Sequence, residues 1–333
     1  MDRTEQDMKF VGFFGIIKQS FKSIFSSKKI FTQLTLTSIL PLTVIFIVQF
    51  ELAHHFFWRI ENNSLPYDTN DSRESTALEW LYYVIFKIIY VILLTLFSVL
   101  ATSTVVFTTA SVYVDRDVVF PNVMKVVPRV WKKLVVTFGW IYLTAFVYDV
   151  ITEVVIAIYV AIFGYSAIGT LIMIGILIIF LIGFLYLCVV WQLASVVTVL
   201  EDISGLNAMK KGKYLANGKK KVGMGITFVL CVFLSGLVLV YFLFVPYGHK
   251  LFSWPMIARV MMAILCGVLL MFLFLMVIVT QTVLYLVCKS YHREVIDKVS
   301  LSTFLGAYMD ETMVYPKAGE EIQLGRPQSQ SPV

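Results

Sequence analysis

Six apolar runs decide what this chain can fold into. They cover about residues 30–52, 78–112, 134–163, 167–200, 222–245 and 255–288, and each meets the length of roughly 20 residues that an α-helix needs to cross a bilayer. Inside hydrocarbon a backbone must satisfy its own N–H and C=O groups, so runs of this length fold as helices. The expected fold is an all-α membrane protein with six transmembrane helices over residues 30–288. A basic segment precedes them at 1–29, a charged juxtamembrane segment follows at 289–315, and a Pro-, Gly-, Ser- and Gln-rich tail at 316–333 reads as disordered. With 59% apolar and 14% charged residues, the composition lies outside the range of soluble domains.

The segments between the runs repeat. Ser204 to Val222 holds six lysines (210, 211, 213, 219, 220 and 221) and no acid. Laid without gaps on the N-terminal segment, it sets Lys210, Gly212, Lys220, Lys221 and Val222 opposite Lys18, Ser20, Lys28, Lys29 and Ile30. A third copy starts at Asn122-Val123-Met124-Lys125, which matches Asn207-Ala208-Met209-Lys210, and ends at Trp131-Lys132-Lys133-Leu134 after losing three residues. Each copy enters an apolar run, and the second, fourth and sixth runs are longer than the others. The pattern predicts three pseudo-repeats, each an amphipathic basic helix followed by two spans, with the even spans tilted or projecting beyond the membrane. In the first copy Phe10, Phe13, Phe14, Ile17, Phe21, Ile24 and Phe25 recur at helical spacing, with Lys18, Gln19, Lys22, Ser23 and Ser26 on the other side. Such a helix either lies in the headgroup plane or packs on the end of the bundle.

Basic residues sort by side. The N-terminal segment has six Lys or Arg, residues 115–133 five, 201–221 six and the C-terminal segment five, so 22 of 27 share one side. The positive-inside rule makes that side, and both termini, cytosolic. The loop His54 to Glu79 has two Arg against five acids and two glycosylation sequons, at Asn62 and Asn70; both features suit the opposite side. No removable signal peptide is read in the first 29 residues. The expected location is a membrane of the secretory route, the endoplasmic reticulum or the plasma membrane.

Lys87, Asp149 and Glu153 are the ionisable residues well inside the runs, at similar depth, and Asp149 and Glu153 share a helix face with Tyr142 and Phe146. Charge in hydrocarbon is costly, so pairing Lys87 between the two carboxylates is the expected arrangement, either as a proton or cation relay or as a structural ion pair. Thr108, Gln192 and Gln281 form a second polar layer when the even runs are aligned through Ala110-Ser111 and Ala194-Ser195, suited to interhelical hydrogen bonds. Glu51, His54, His55 and His249 lack the spacing of a metal site, and the four cysteines (188, 231, 266 and 288) lie in or at the ends of apolar runs. No nucleophile elbow, metal-ligand motif or phosphate-cradling loop is present, so neither catalysis nor a cofactor is expected.

Val199-Leu200-Glu201-Asp202, Gly205, Ala208-Met209-Lys210, Gly212 and Leu215 resemble a plant family of uncharacterised six-span integral membrane proteins over nearly the whole chain. They are more distantly similar to the membrane domain attached to some glycerophosphodiester phosphodiesterases, in which a Glu, then Gly and Ala, then a small residue, Leu and Gly follow a long apolar helix. Gly212 stands where that group has Ser, and the phosphodiesterase domain is absent, so the resemblance implies a membrane fold and no catalytic residue. The leading expectation is a non-catalytic membrane-organising or adaptor protein. It would engage anionic lipids at the cytosolic face through Lys18, Lys22, Lys28, Lys29, Lys132, Lys133, Lys210, Lys211, Lys213, Lys219, Lys220 and Lys221, with no nucleic-acid partner. The rival is a transporter or channel built on Lys87, Asp149 and Glu153.

Overall fold

The computed structural model describes residues 12–63, 70–114, 119–163, 166–201, 203–248 and 253–292, and every regular element among them is helical. In chain order these are α1 (Phe13–Ser26), α2 (Lys28–Leu34), a π turn (Thr35–Ile39), α3 (Leu40–Asn63), α4 (Asn70–Tyr113), α5 (Phe120–Phe163), α6 (Ala167–Leu200), α7 (Gly205–Ala216), α8 (Lys220–Phe244) and α9 (Met256–Tyr291). Six stretches are long and apolar enough to cross a membrane: 28–53, 78–113, 120–163, 169–200, 220–244 and 256–291.

The π turn has a local cause. Pro41 has no N–H to offer the carbonyl four residues back, so the helix widens over the preceding turn. Thr35 and Thr37 occupy neighbouring carbonyls, donating to Phe31 O at 2.7 Å and Gln33 O at 2.9 Å.

The second, fourth and sixth spans form the axis. α4, α6 and α9 touch one another pairwise, and each remaining span fills the furrow between two of them: α3 between α4 and α9, α5 between α4 and α6, α8 between α6 and α9. Along the axis the environment changes. At the far end α4 exposes Leu81, Ile85, Ile88 and Ile92, an apolar surface that suits lipid. At the lysine-rich end every residue is buried from Ala101 to Ser111, from Leu193 to Leu200 and from Ile278 to Cys288. Small polar side chains permit that density, because their hydroxyls turn back on their own helix. Thr109 donates to Val105 O at 2.7 Å, Ser111 to Phe107 O at 2.9 Å, Thr198 to Ala194 O at 2.9 Å and Thr282 to Ile278 O at 2.8 Å. The even helices, 44, 34 and 36 residues long, continue past the lipid-facing belt into a shared core.

What covers that core is the three basic segments, and they bury equivalent positions. Ile16, Val123 and Ala208 correspond in the gap-free alignment and are each 0% exposed. Ser23, Val130 and Leu215 also correspond, and all are buried. α7, from the third repeat, packs on α6 and α5 of the second. The start of α5, from the second repeat, lies with α2 and α4 of the first, and α1, from the first, packs on α9 and α8 of the third. Each basic segment thus covers the preceding repeat, and the first covers the last. The ring closes.

The middle copy departs from expectation. No separate basic helix precedes span three: α5 runs unbroken from Phe120 to Phe163 through Pro128. The cause is the three-residue shortening. In the third copy the helix stops at Asn217, Gly218 and Lys219 before α8 begins, and the middle copy lacks the residues that would make this stop.

Candidate functional site at the basic end

α6 ends at Leu200, and the next residue organises this end. Glu201 accepts from Lys289 Nζ on one carboxylate oxygen at 2.7 Å and from Lys211 Nζ on the other at 2.7 Å. The Tyr285 hydroxyl also donates to it. Burial alone raises the pKa of this carboxyl, but the donors Lys211, Lys289 and Tyr285 outweigh it and hold Glu201 below the usual carboxylate range. Three elements meet on one side chain, α6 beside it, α7 through Lys211 and α9 through Tyr285 and Lys289. The sequence singled out Glu201 by resemblance alone; the signal available was the acid pair Glu201-Asp202 at the mouth of a lysine-rich stretch.

From Glu201 the chain reverses. Gly205 has φ +63°, a conformation that favours glycine, and its N–H donates to Thr137 Oγ1 at 2.9 Å. Thr137 Oγ1 in turn lies 3.0 Å from Thr198 Oγ1. Further along α7, a Cβ on Gly212 would come within 2.9 Å of Val190 O and 3.0 Å of Ala194 N. α7 therefore runs back along α6 in near-backbone contact, rather than lying flat across the end of the bundle. Packing on the bundle is one of the two placements expected for these basic segments.

The predicted lysines divide. Lys211 is held by Glu201. Lys28, Lys219 and Lys220 lie over the rings of Phe25, Tyr291 and Tyr186, at 5.4, 5.7 and 4.9 Å from the centroids. Lys133 is half-buried, whereas Lys18, Lys22, Lys29, Lys132, Lys210, Lys213 and Lys221 are exposed.

α1 also differs from its predicted orientation. It turns Ile16, Ser20, Ser23 and Ile24 inward, so Ser23, expected on the polar face, meets the bundle. Ser20 donates to Ile16 O at 2.9 Å, which removes the cost of burying its hydroxyl and leaves a small contact surface. Of the phenylalanines Phe14, Phe21 and Phe25, the first and last point away at 82 and 55% exposure, and Phe21, at 37%, also lies against Phe272 of α9 with ring centroids 6.2 Å apart. The three recur at i, i+7 and i+11 with Lys18 and Lys22 on the same side.

Lys87, Asp149 and Glu153 are not brought together. Lys87 lies over the rings of Tyr83 and Tyr90 at 5.5 and 5.7 Å, and no ion pair joins it to either carboxylate among the described residues. Asp149 and Glu153 share a face as expected, but it is the exposed face of α5, with Phe146. The inward face carries Tyr148, which donates to Phe180 O at 2.5 Å, and Tyr159, which donates to Gly169 O at 2.7 Å. These bonds to α6 set the rotation of α5 and turn the acids outward.

The second polar layer is present with one member exchanged. Gln192 and Gln281 line a cavity of about 340 Å³ with Ser195, Ser98 and Thr102. The rest of its lining is apolar, with Leu42, Phe46, Leu94, Phe138 and Phe274 among it, so the two glutamines stand as polar points in a hydrocarbon-like wall. Thr108 lies six residues beyond Thr102, about 9 Å along α4, buried with its hydroxyl unpartnered among the described residues. Glu51, weighed as a metal ligand, accepts from Tyr241 Oη at 2.7 Å. The side chains of His54, Asn62, Asn70 and His249 fall outside the described residues, as do the segments beyond residue 292.

Six apolar helices, three forming an axis and three filling its furrows, define a multi-pass α-helical membrane protein. The chain belongs to the family described as Domain of unknown function (DUF8558), which matches residues 1–326. No curated protein and no solved structure matches it.

Proposed function

We propose that this protein is a non-catalytic membrane-organising or adaptor protein, with its lysine-rich end in the cytosol, engaging anionic lipid headgroups there. The observation that carries this reading is α1. It is braced on α9 by small and aliphatic side chains and by Phe21 against Phe272, while Phe14 and Phe25 face outward together with Lys18 and Lys22. Exposed aromatic rings beside lysines suit the boundary of a charged leaflet: the rings enter the acyl region and the ammonium groups reach the phosphates. Lys29, Lys132, Lys210, Lys213 and Lys221 extend the basic rim around the bundle. Each lysine near an anionic surface contributes about 1 kcal/mol, so the exposed set can enrich anionic lipid without any single strong contact.

Transport through Lys87, Asp149 and Glu153 has less support, because relay groups need to converge and these face different surroundings. The test is lipid enrichment around the full-length protein in nanodiscs of mixed neutral and anionic phospholipid, read by mass spectrometry of the lipid shell. Enrichment of anionic lipid that falls with salt, and is lost on combined Gln substitution of Lys18, Lys22, Lys210, Lys213 and Lys221, supports the reading. Equal enrichment in wild type and the substituted protein defeats it.

A further inference from the structure

Near the opposite end of the bundle, α3 and α9 separate to leave a groove of about 730 Å³. Val44 and Ile47 form one wall, and Ala263, Gly267 and Met271 the other. Glycine at 267 keeps the floor low: a Cβ there would already lie 3.6 Å from Ile47 Cδ1. Val44, Val260, Ile264 and Val268 are half-exposed on its lips, so the groove opens sideways, within spans 28–53 and 256–291. Whatever fills it arrives from the bilayer.

One charged residue stands at its outer end. Arg259 lies three residues inside the end of α9, partly buried, and its Nε donates to Val245 O at 2.6 Å. That bond fixes the guanidinium at the mouth and leaves both Nη groups without a partner among the described residues. A half-buried cation at the edge of hydrocarbon calls for an anion, and a guanidinium matches phosphate in bidentate geometry. From Arg259 to Met271 is twelve residues of helix, about 18 Å, close to the roughly 15 Å depth of one leaflet, half of a 30 Å hydrocarbon core. We infer that the α3–α9 groove binds a glycerophospholipid of the leaflet opposite the lysine-rich end, one acyl chain lying along Gly267 and its phosphate held by Arg259. This site is separate from the basic rim, and its charge is a single arginine rather than a cluster.

The test uses full-length protein in nanodiscs containing a phosphatidyl probe with a photoreactive group midway along one acyl chain, with peptide mapping of the adducts. The expected result is labelling of 260–271 about tenfold above that of the exposed α6 surface from Leu171 to Ile182. Arg259→Gln should remove most of that excess, Arg259→Lys should keep part of it, and Ala263→Trp, which fills the groove while leaving the arginine, should abolish it. Melting temperatures of the three variants verify folding, and the Ala263→Trp and Arg259→Lys results stand if Arg259→Gln does not fold. Labelling no greater than on the α6 surface overturns the proposal, as does labelling indifferent to Arg259→Gln. Equal labelling by a fatty-acid probe carrying the same photoreactive group overturns the phosphate assignment. If the protein is a dimer that Ala263→Trp separates, the occupant is a second copy and the lipid site is refuted.

Discussion

Glu201 is the residue on which the basic end depends, and it gives that end a pH dependence. Its folded-state pKa is lowered by Lys211, Lys289 and Tyr285 despite burial, so the unfolded chain takes up its proton first as pH falls. The node's contribution is complete above the ordinary carboxylate range and is lost as pH drops through the folded value. Melting temperature measured from pH 7 to pH 3 should decline at the acid end. Glu201→Gln should flatten that decline and lower stability at neutral pH by roughly 1–3 kcal/mol, because two partly exposed lysines lose their shared counter-charge. Gly212→Ala should cost roughly 1–3 kcal/mol by forcing α7 off Val190 and Ala194, visible as a lower melting temperature. Asp149→Leu tests the opposite case. On the outward face of α5 it should leave stability unchanged or raised, whereas a buried partner of Lys87 would have cost several kcal/mol. Lys87, Asp149 and Glu153 also show where sequence reading stops at this scale. Counting residues along each helix gives depth, but rotation about the helix axis comes from bonds such as Tyr148 to Phe180 O, which periodicity does not announce.

At the scale of the element, length was readable and continuity was not. The long even spans are visible as excess apolar residues, and the structure turns that excess into the buried core at the lysine-rich end. The continuity of α5 was legible only as a three-residue gap in an alignment, whose meaning depends on knowing that Asn217, Gly218 and Lys219 make the break in the third copy. The orientation of α1 was hidden for another reason. A stripe of phenylalanines looks like a core face in any soluble protein, but beside a membrane the large rings can face outward while serine faces the bundle. Its docking therefore uses the small side chains of Ser20 and Ser23 beside Ile16 and Ile24. Ser20→Phe should detach α1 from α9, which hydrogen exchange would report as at least tenfold faster exchange across Phe13–Ser26, with α4 and α6 unaffected. Unchanged protection of α1 would show that Ser20 does not set the contact.

On the scale of the whole molecule, three repeats cover one another in a cycle, and the covering element always comes from the repeat next in sequence, except at the seam. There α1, the first helix, lies on α9, the last. The lysine echoes revealed three copies; that they close on themselves follows only from which helix each copy covers. The seam has a consequence for the order of synthesis. α7 and the start of α5 find their partners already made when they leave the ribosome, because α6, α4 and α2 precede them. α1 does not: most of its docking surface, on α9, is translated some 250 residues later, so during most of biosynthesis only its smaller contact with α4 is available within the chain. Completion of the sixth span should then seat the inward face of α1, with Ile16, Ser20 and Ile24, on α9. A chain stopped after α8 should hold α1 accessible to protease, and the finished chain should protect it. Equal protection in both would place the closing of the ring before the end of translation.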